Sequence, residues 1–127
     1  MSAAAVRVVL VEDNDIFRQT LELLLGMRDE IQVVGSVSNG EDAVVICRDL
    51  APDVVLMDYR MPGLNGADAT RAVLDACPSS RVVCLSASVS EREVEEVRAA
   101  GAIAVVTKDA DFDRLVATVC EAGGVAA

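Results

Sequence analysis

Histidine and tryptophan are both absent from this 127-residue chain, and the aromatic residues are confined to Phe17, Tyr59 and Phe112. Without histidine there is no Ser-His-Asp triad, no His-ligated zinc and no phosphohistidine carrier. The shortage of rings leaves the core to Val, Leu, Ile and Ala, and removes the stacking platforms on which single-strand nucleic-acid binders rely. Positive charge is also scarce. Eleven Lys and Arg stand against 21 Asp and Glu, a net charge of −10. That is the wrong sign for tracking a phosphate backbone or an anionic membrane. No run approaches the length of a membrane span, and the opening MSAAAVR carries no basic leader. The expectation is a soluble cytoplasmic protein. CxxC pairs are missing too: Cys47, Cys77, Cys84 and Cys120 lie far apart within apolar patterns. They read as buried free thiols in a reducing compartment. Repeats, linkers and low-complexity segments are not apparent.

What is present is a hydrophobic fraction of 53%, enough for one well-packed domain. Short β-branched runs alternate with segments of helical period. The runs are Val6–Val11, Gln32–Val37, Val54–Met57, Arg81–Leu85 and Ala104–Val106. The first helix is expected over Ile16–Met27 with Asp15 as N-cap. Ser38-Asn39-Gly40-Glu41 reads as a capping box before a helix ending near Leu50. Ala69, Ala72, Val73 and Ala76 mark the apolar face of the third helix, which ends before Pro78. Ser90 and Glu93 form a further capping box for an acid-rich helix ending at Gly101. Phe112, Leu115, Val116, Val119 and Cys120 stripe the last helix, closed by Gly123-Gly124. Five rounds of strand then helix, with strands apolar almost throughout, predict an α/β fold with a doubly wound parallel sheet covered on both faces. In such folds ligands sit beyond the carboxyl ends of the strands, where the strand order reverses.

Those ends carry chemistry. Glu12 and Asp13 follow the first strand, Asp58 the third, Ser86 the fourth and Lys108 the fifth. Each alone has a plain explanation as a loop acid, a cap or a solvated lysine; their agreement at one end of the sheet is the signal. Two carboxylates about 4 Å apart repel by ~4 kcal/mol at an effective dielectric near 20. Three crowded acids therefore want a cation, and oxygen-only ligands favour Mg²⁺ or Mn²⁺ over zinc. A carboxylate beside such a metal can attack phosphorus and form an aspartyl phosphate, whose charge a lysine and a hydroxyl would then meet.

Four stretches, VVLVEDN (8–14), VVLMDYRMPGLNG (54–66), VVCLSAS (82–88) and AGAIAVVTKDA (100–110), resemble the receiver domain of two-component response regulators in this order and over essentially the whole chain. The resemblance implies a five-stranded (βα)5, CheY-like, flavodoxin-like sheet of order 2-1-3-4-5 spanning residues 1–127. It implies that Asp58 accepts a phosphoryl group from the phosphohistidine of a sensor histidine kinase. Glu12, Asp13, Asp58 and the main-chain carbonyl of Arg60 would hold Mg²⁺, Ser86 would be the switch hydroxyl and Lys108 the phosphate contact. Lys108-Asp109-Ala110 is similar to the NarL/FixJ-type branch, whose members usually append a helix-turn-helix domain. DNA would then be met only through an effector domain not in this chain, with a homodimer on activation and no membrane contact. The family's aromatic switch position falls on Val105, which has no ring to turn. Asp109 replaces the usual proline after Lys108, so a trans bond is expected there.

Three rival readings remain at this stage. Asp13-Asn14-Asp15 has the DxD spacing of haloacid-dehalogenase-type phosphatases, but Phe17 stands where that family expects Thr or Val. A pseudo-receiver working through its surfaces alone would tolerate Val105. A flavodoxin-type electron carrier shares the winding, yet the hydroxyl-rich phosphate loop and flanking aromatics are missing.

Overall fold

The computed structural model describes residues 5–87 and 90–124; Ser88, in the third quoted stretch, lies outside them. Strands β1 (Val6–Val11), β2 (Ile31–Val37), β3 (Val54–Asp58), β4 (Arg81–Ser86) and β5 (Ala104–Thr107) alternate with helices α1 (Asp15–Gly26), α2 (Gly40–Leu50), α3 (Gly66–Ala76), α4 (Glu91–Ala100) and α5 (Phe112–Ala122). All strand pairs are parallel, in the order β2-β1-β3-β4-β5. The doubly wound arrangement read from the sequence is the one adopted. The last three strands each run one residue further than expected, because Asp58 still pairs with Leu85 and Ser86 with Thr107.

Although the strands read as continuous apolar runs, their side chains alternate between two cores. Val8 and Leu10 of β1, Val54 and Leu56 of β3, and Val83 and Leu85 of β4 pack with α1 and α5. Val9, Val11, Val55, Met57, Val82 and Cys84 pack on the opposite side, with residues of α2, α3 and α4. Every residue of β3 is buried. All four cysteines are buried and free, and burial pushes the Cys47 and Cys84 thiols up to about 12, so they are neutral core groups. Among the described residues no helix is long and apolar enough to cross a membrane, and no peptide bond is cis, Lys108–Asp109 included.

Two caps differ from the expected ones. Asn14, not Asp15, caps α1: its side chain accepts from the Phe17 amide at 2.9 Å. Asp15 instead occupies the first turn and pairs with Arg18 at 2.8 Å. Asn39, not Ser38, caps α2, accepting from the Asp42 amide at 2.8 Å and donating to the Asp42 carboxylate at 3.0 Å. Asparagine caps as well as aspartate or serine does, so residue type alone does not choose between such neighbours. The Ser90 cap of α4 is as expected, accepting from Glu93 at 3.1 Å.

α3 starts against the chain that leaves β3. The Gly66 amide donates to the Tyr59 carbonyl at 2.7 Å, and a Cβ at Gly66 would lie 2.6 Å from Tyr59 Cα and 3.0 Å from the Asp58 carbonyl oxygen. Backbone cannot step aside as a side-chain tip can. Gly66→Ala should therefore cost about 1–3 kcal/mol of stability, seen as a lower urea midpoint. An unchanged midpoint would mean that the loop yields freely.

Candidate functional site

Strand register brings the functional side chains together. Val11 pairs with Met57, so the next residues, Glu12 and Asp58, are neighbours at the strand ends. Both follow the parity of Leu10 and Leu56 and face the α1/α5 side; Lys108, two residues past Val106, shares that parity. Glu12 is fully buried and Asp58 is 4% exposed. The Lys108 ammonium lies 2.6 Å from Glu12 Oε1 and 3.4 Å from Asp58 Oδ2. The second Glu12 oxygen accepts from the Asn14 amide at 3.0 Å. Asp13 is exposed at the rim. Ser86 is buried at the end of β4, one step beyond the residue paired with Asp58. Its backbone carbonyl accepts from the Lys108 amide at 2.7 Å, which pins the lysine to the sheet.

The charges are unequal in consequence. Burial, then the Glu12 carboxylate, push Asp58 up to about 7, against the pull of the Lys108 ammonium and the Arg60 amide. Burial also penalises Glu12, but Lys108, the Asn14 amide and Asp58 together hold it below the usual carboxylate range. Lys108 is raised: desolvation opposes its charge, and the two carboxylates outweigh that cost. One oxygen from each of Glu12, Asp13 and Asp58 lies within 4.8 Å of the others. An all-oxygen set of this size suits a hard divalent cation, with Lys108 supplying the compensating charge in the metal-free protein. Beside it lies a cleft of about 410 Å³ lined by Asp13, Tyr59, Arg60, Met61, Pro62 and Asn65.

Sequence reasoning missed several contributors. Lys108 itself was read from its place after the fifth strand, though not its standing as the one lysine among eleven basic residues. Its ammonium sits 4.7 Å from the centre of the Phe17 ring. Arg18 donates to the Glu12 carbonyl at 2.8 Å and steadies the end of β1. The two residues after Asp58 reach across to α4. Tyr59 Oη donates to Glu96 at 2.8 Å, and Arg60 meets Glu93 at 3.4 Å. Val105 packs in the same core cluster as Tyr59, so a ring does stand on this side of the sheet, delivered by β3 rather than β5. Asp15 is exposed and engaged with Arg18, outside the three-carboxylate cluster that a DxD pair would have to build.

The chain is similar to known proteins along most of its length. The family model for the response regulator receiver domain matches residues 8–120. The chain is 35% identical over 114 residues to the transcriptional regulatory protein DegU of Brevibacillus brevis, covering 90% of this chain and 48% of that protein. It is 36% identical over 111 residues to the response regulator GacA of Pseudomonas aeruginosa, covering 87% and 52%. The chain thus spans about half the length of these relatives. Among solved structures, the signal receiver domain of the response regulator NarL from Mycobacterium tuberculosis superposes with a TM-score of 0.90 at 31% identity, covering 96% of this chain and 98% of that one.

Proposed function

Because this chain belongs to the response regulator receiver domain family, we propose that Asp58 is its phosphoacceptor, taking a phosphoryl group from the phosphohistidine of a sensor histidine kinase. The observation that carries the reading is the meeting of Glu12, Asp13 and Asp58 with the sole lysine at the ends of the strands. A carboxylate oxygen of Asp58 attacks phosphorus, the P–N bond to the imidazole breaks, and the imidazole leaves with its electron pair and takes up a proton. Glu12, Asp13, Asp58 and the Arg60 main-chain carbonyl are the groups to hold Mg²⁺ or Mn²⁺, which supplies charge neutralisation at the phosphoryl oxygens. Lys108 offers its ammonium and Ser86 its hydroxyl to the same oxygens. The domain is a switch rather than an enzyme acting on other substrates: it catalyses only its own phosphoryl uptake and loss.

Phosphoryl uptake biases a two-state equilibrium of the loops around the site and of α4. That changes contacts with partners, a second copy of the chain among them. Relatives of about twice this length are named as transcriptional regulators. This supports an output on DNA made through an effector domain outside this chain, in the cytoplasm. The acidic surface gives no support to direct binding of DNA or membrane.

Intact mass after incubation with a small phosphodonor tests the proposal. One phosphate should be gained with Mg²⁺ present and essentially none with a chelator. No gain under either condition would sink phosphoryl control and leave a pseudo-receiver that acts through its surfaces alone.

A further inference from the structure

Lys108 is held by more than its carboxylates. Its backbone is pinned to the β4 end through Ser86, and its ammonium is bounded by Glu12, Asp58 and the Phe17 ring. Phe17 is itself fixed: its amide closes the Asn14 cap on the first turn of α1, and its ring packs against the α1/α5 core. A ring 4.7 Å from an ammonium is within the range at which its negative face attracts the cation. Asp15 and Ile16 on the same turn are exposed, so Phe17 is the residue of that turn that reaches the core and the lysine.

We propose that Phe17 is a positioning residue for Lys108, holding the ammonium over the strand ends so that it stays aimed at Asp58. The ring matters most when the acids are busy. In the metal-free protein two carboxylates already attract Lys108. Once those carboxylates serve a divalent cation, their pull weakens, and a flexible four-carbon stem would let the ammonium swing to water. The aromatic face keeps attracting it, because its interaction does not depend on a free carboxylate. The second half of this inference rests on the phosphoacceptor reading; the first half does not.

The test uses the lone lysine. Lysine-selective isotope labelling gives one side-chain spin system, so Lys108 can be followed without assignment of the rest. In the native metal-free chain its ε-methylene protons should be shifted upfield by the Phe17 ring. Phe17→Leu, which keeps an apolar group but no aromatic face, should abolish that shift; Phe17→Tyr should keep it. At saturating Mg²⁺, phosphoryl uptake from a small phosphodonor should slow about 3- to 10-fold in the Leu variant, the loss expected from one cation–π contact. The Tyr variant should stay within about twofold of native, as the same face is retained. The proposal is overturned if the Leu variant keeps the native lysine signal, or if Tyr slows uptake as much as Leu. The latter would make ring packing, not the aromatic face, the cause. Should the native chain take up no phosphate, the phosphoacceptor reading fails, while the metal-free lysine signal still decides whether Phe17 positions Lys108.

Discussion

Asp58→Asn is expected to take up no phosphoryl group and, in the absence of metal, to unfold at a higher temperature than the native chain. The first result follows from the loss of the attacking oxygen. The second follows from burial. Asp58 is 4% exposed and stands beside Glu12, and both effects push it up to about 7. A carboxyl group whose folded pKa exceeds its unfolded value favours the folded state below both values. It then costs stability as pH rises from about 4 towards 7, because the unfolded chain can ionise freely and the folded one cannot. Asparagine has the same shape and no charge to bury. The variant should match the native protein near pH 4 and exceed it by on the order of 2 kcal/mol at pH 7, about half of the ~4 kcal/mol that the full rise would give, because Glu12 and Lys108 readjust around the charge on Asp58. For a domain of this size that is roughly 5–10 °C in Tm. Thermal unfolding in chelator from pH 4 to 8 measures it. Parallel curves for the two proteins would show that the Asp58 site is not strained by its charge. A more stable Asn variant would instead mark the proposed phosphoacceptor position as one where stability is given up for chemistry.

Lys108→Met is expected to act in the opposite direction. The methionine keeps most of the apolar stem, but Glu12 Oε1 loses an ammonium at 2.6 Å and Asp58 one at 3.4 Å. A fully buried carboxylate without its partner is among the costliest single defects a fold can carry, at about 3–5 kcal/mol. Protonation offers a way out, so the loss should be largest at pH 7 and should shrink as the pH approaches 5. Removing the ammonium raises the folded-state pKa of Glu12, and stability lost that way returns on acidification. Urea midpoints at the two pH values separate this from a packing effect: a deficit independent of pH would point to the stem rather than the charge. Combining Lys108→Met with Asp58→Asn should recover part of the loss, since the second substitution removes one of the two stranded carboxylates.

The alternation of strands and helices was legible because each element depends on near neighbours in the chain. Val54–Met57 runs apolar into Asp58, and Leu115, Val116, Val119 and Cys120 repeat at helical spacing; the structure buries both sets. The caps were less legible. At Asp13-Asn14-Asp15 and Ser38-Asn39 adjacent residues can each serve, and the structure gives the caps to Asn14 and Asn39. The identity of the residues at the strand ends was also readable, since a parallel sheet presents those ends together whatever the details.

By itself the chain therefore determined the winding, the sign of the charge and the presence of Glu12, Asp13, Asp58, Ser86 and Lys108 at one edge. Only the tertiary structure decided how they meet. Parity along β1, β3 and β5 put Glu12, Asp58 and Lys108 on the α1/α5 side, and the cap of α1 set Phe17 against the lysine. The packing of α4 gave Tyr59 and Arg60 their partners in Glu96 and Glu93. These contacts join residues far apart in the chain. They exist because sheet register and helix docking fix side-chain directions that no local pattern records.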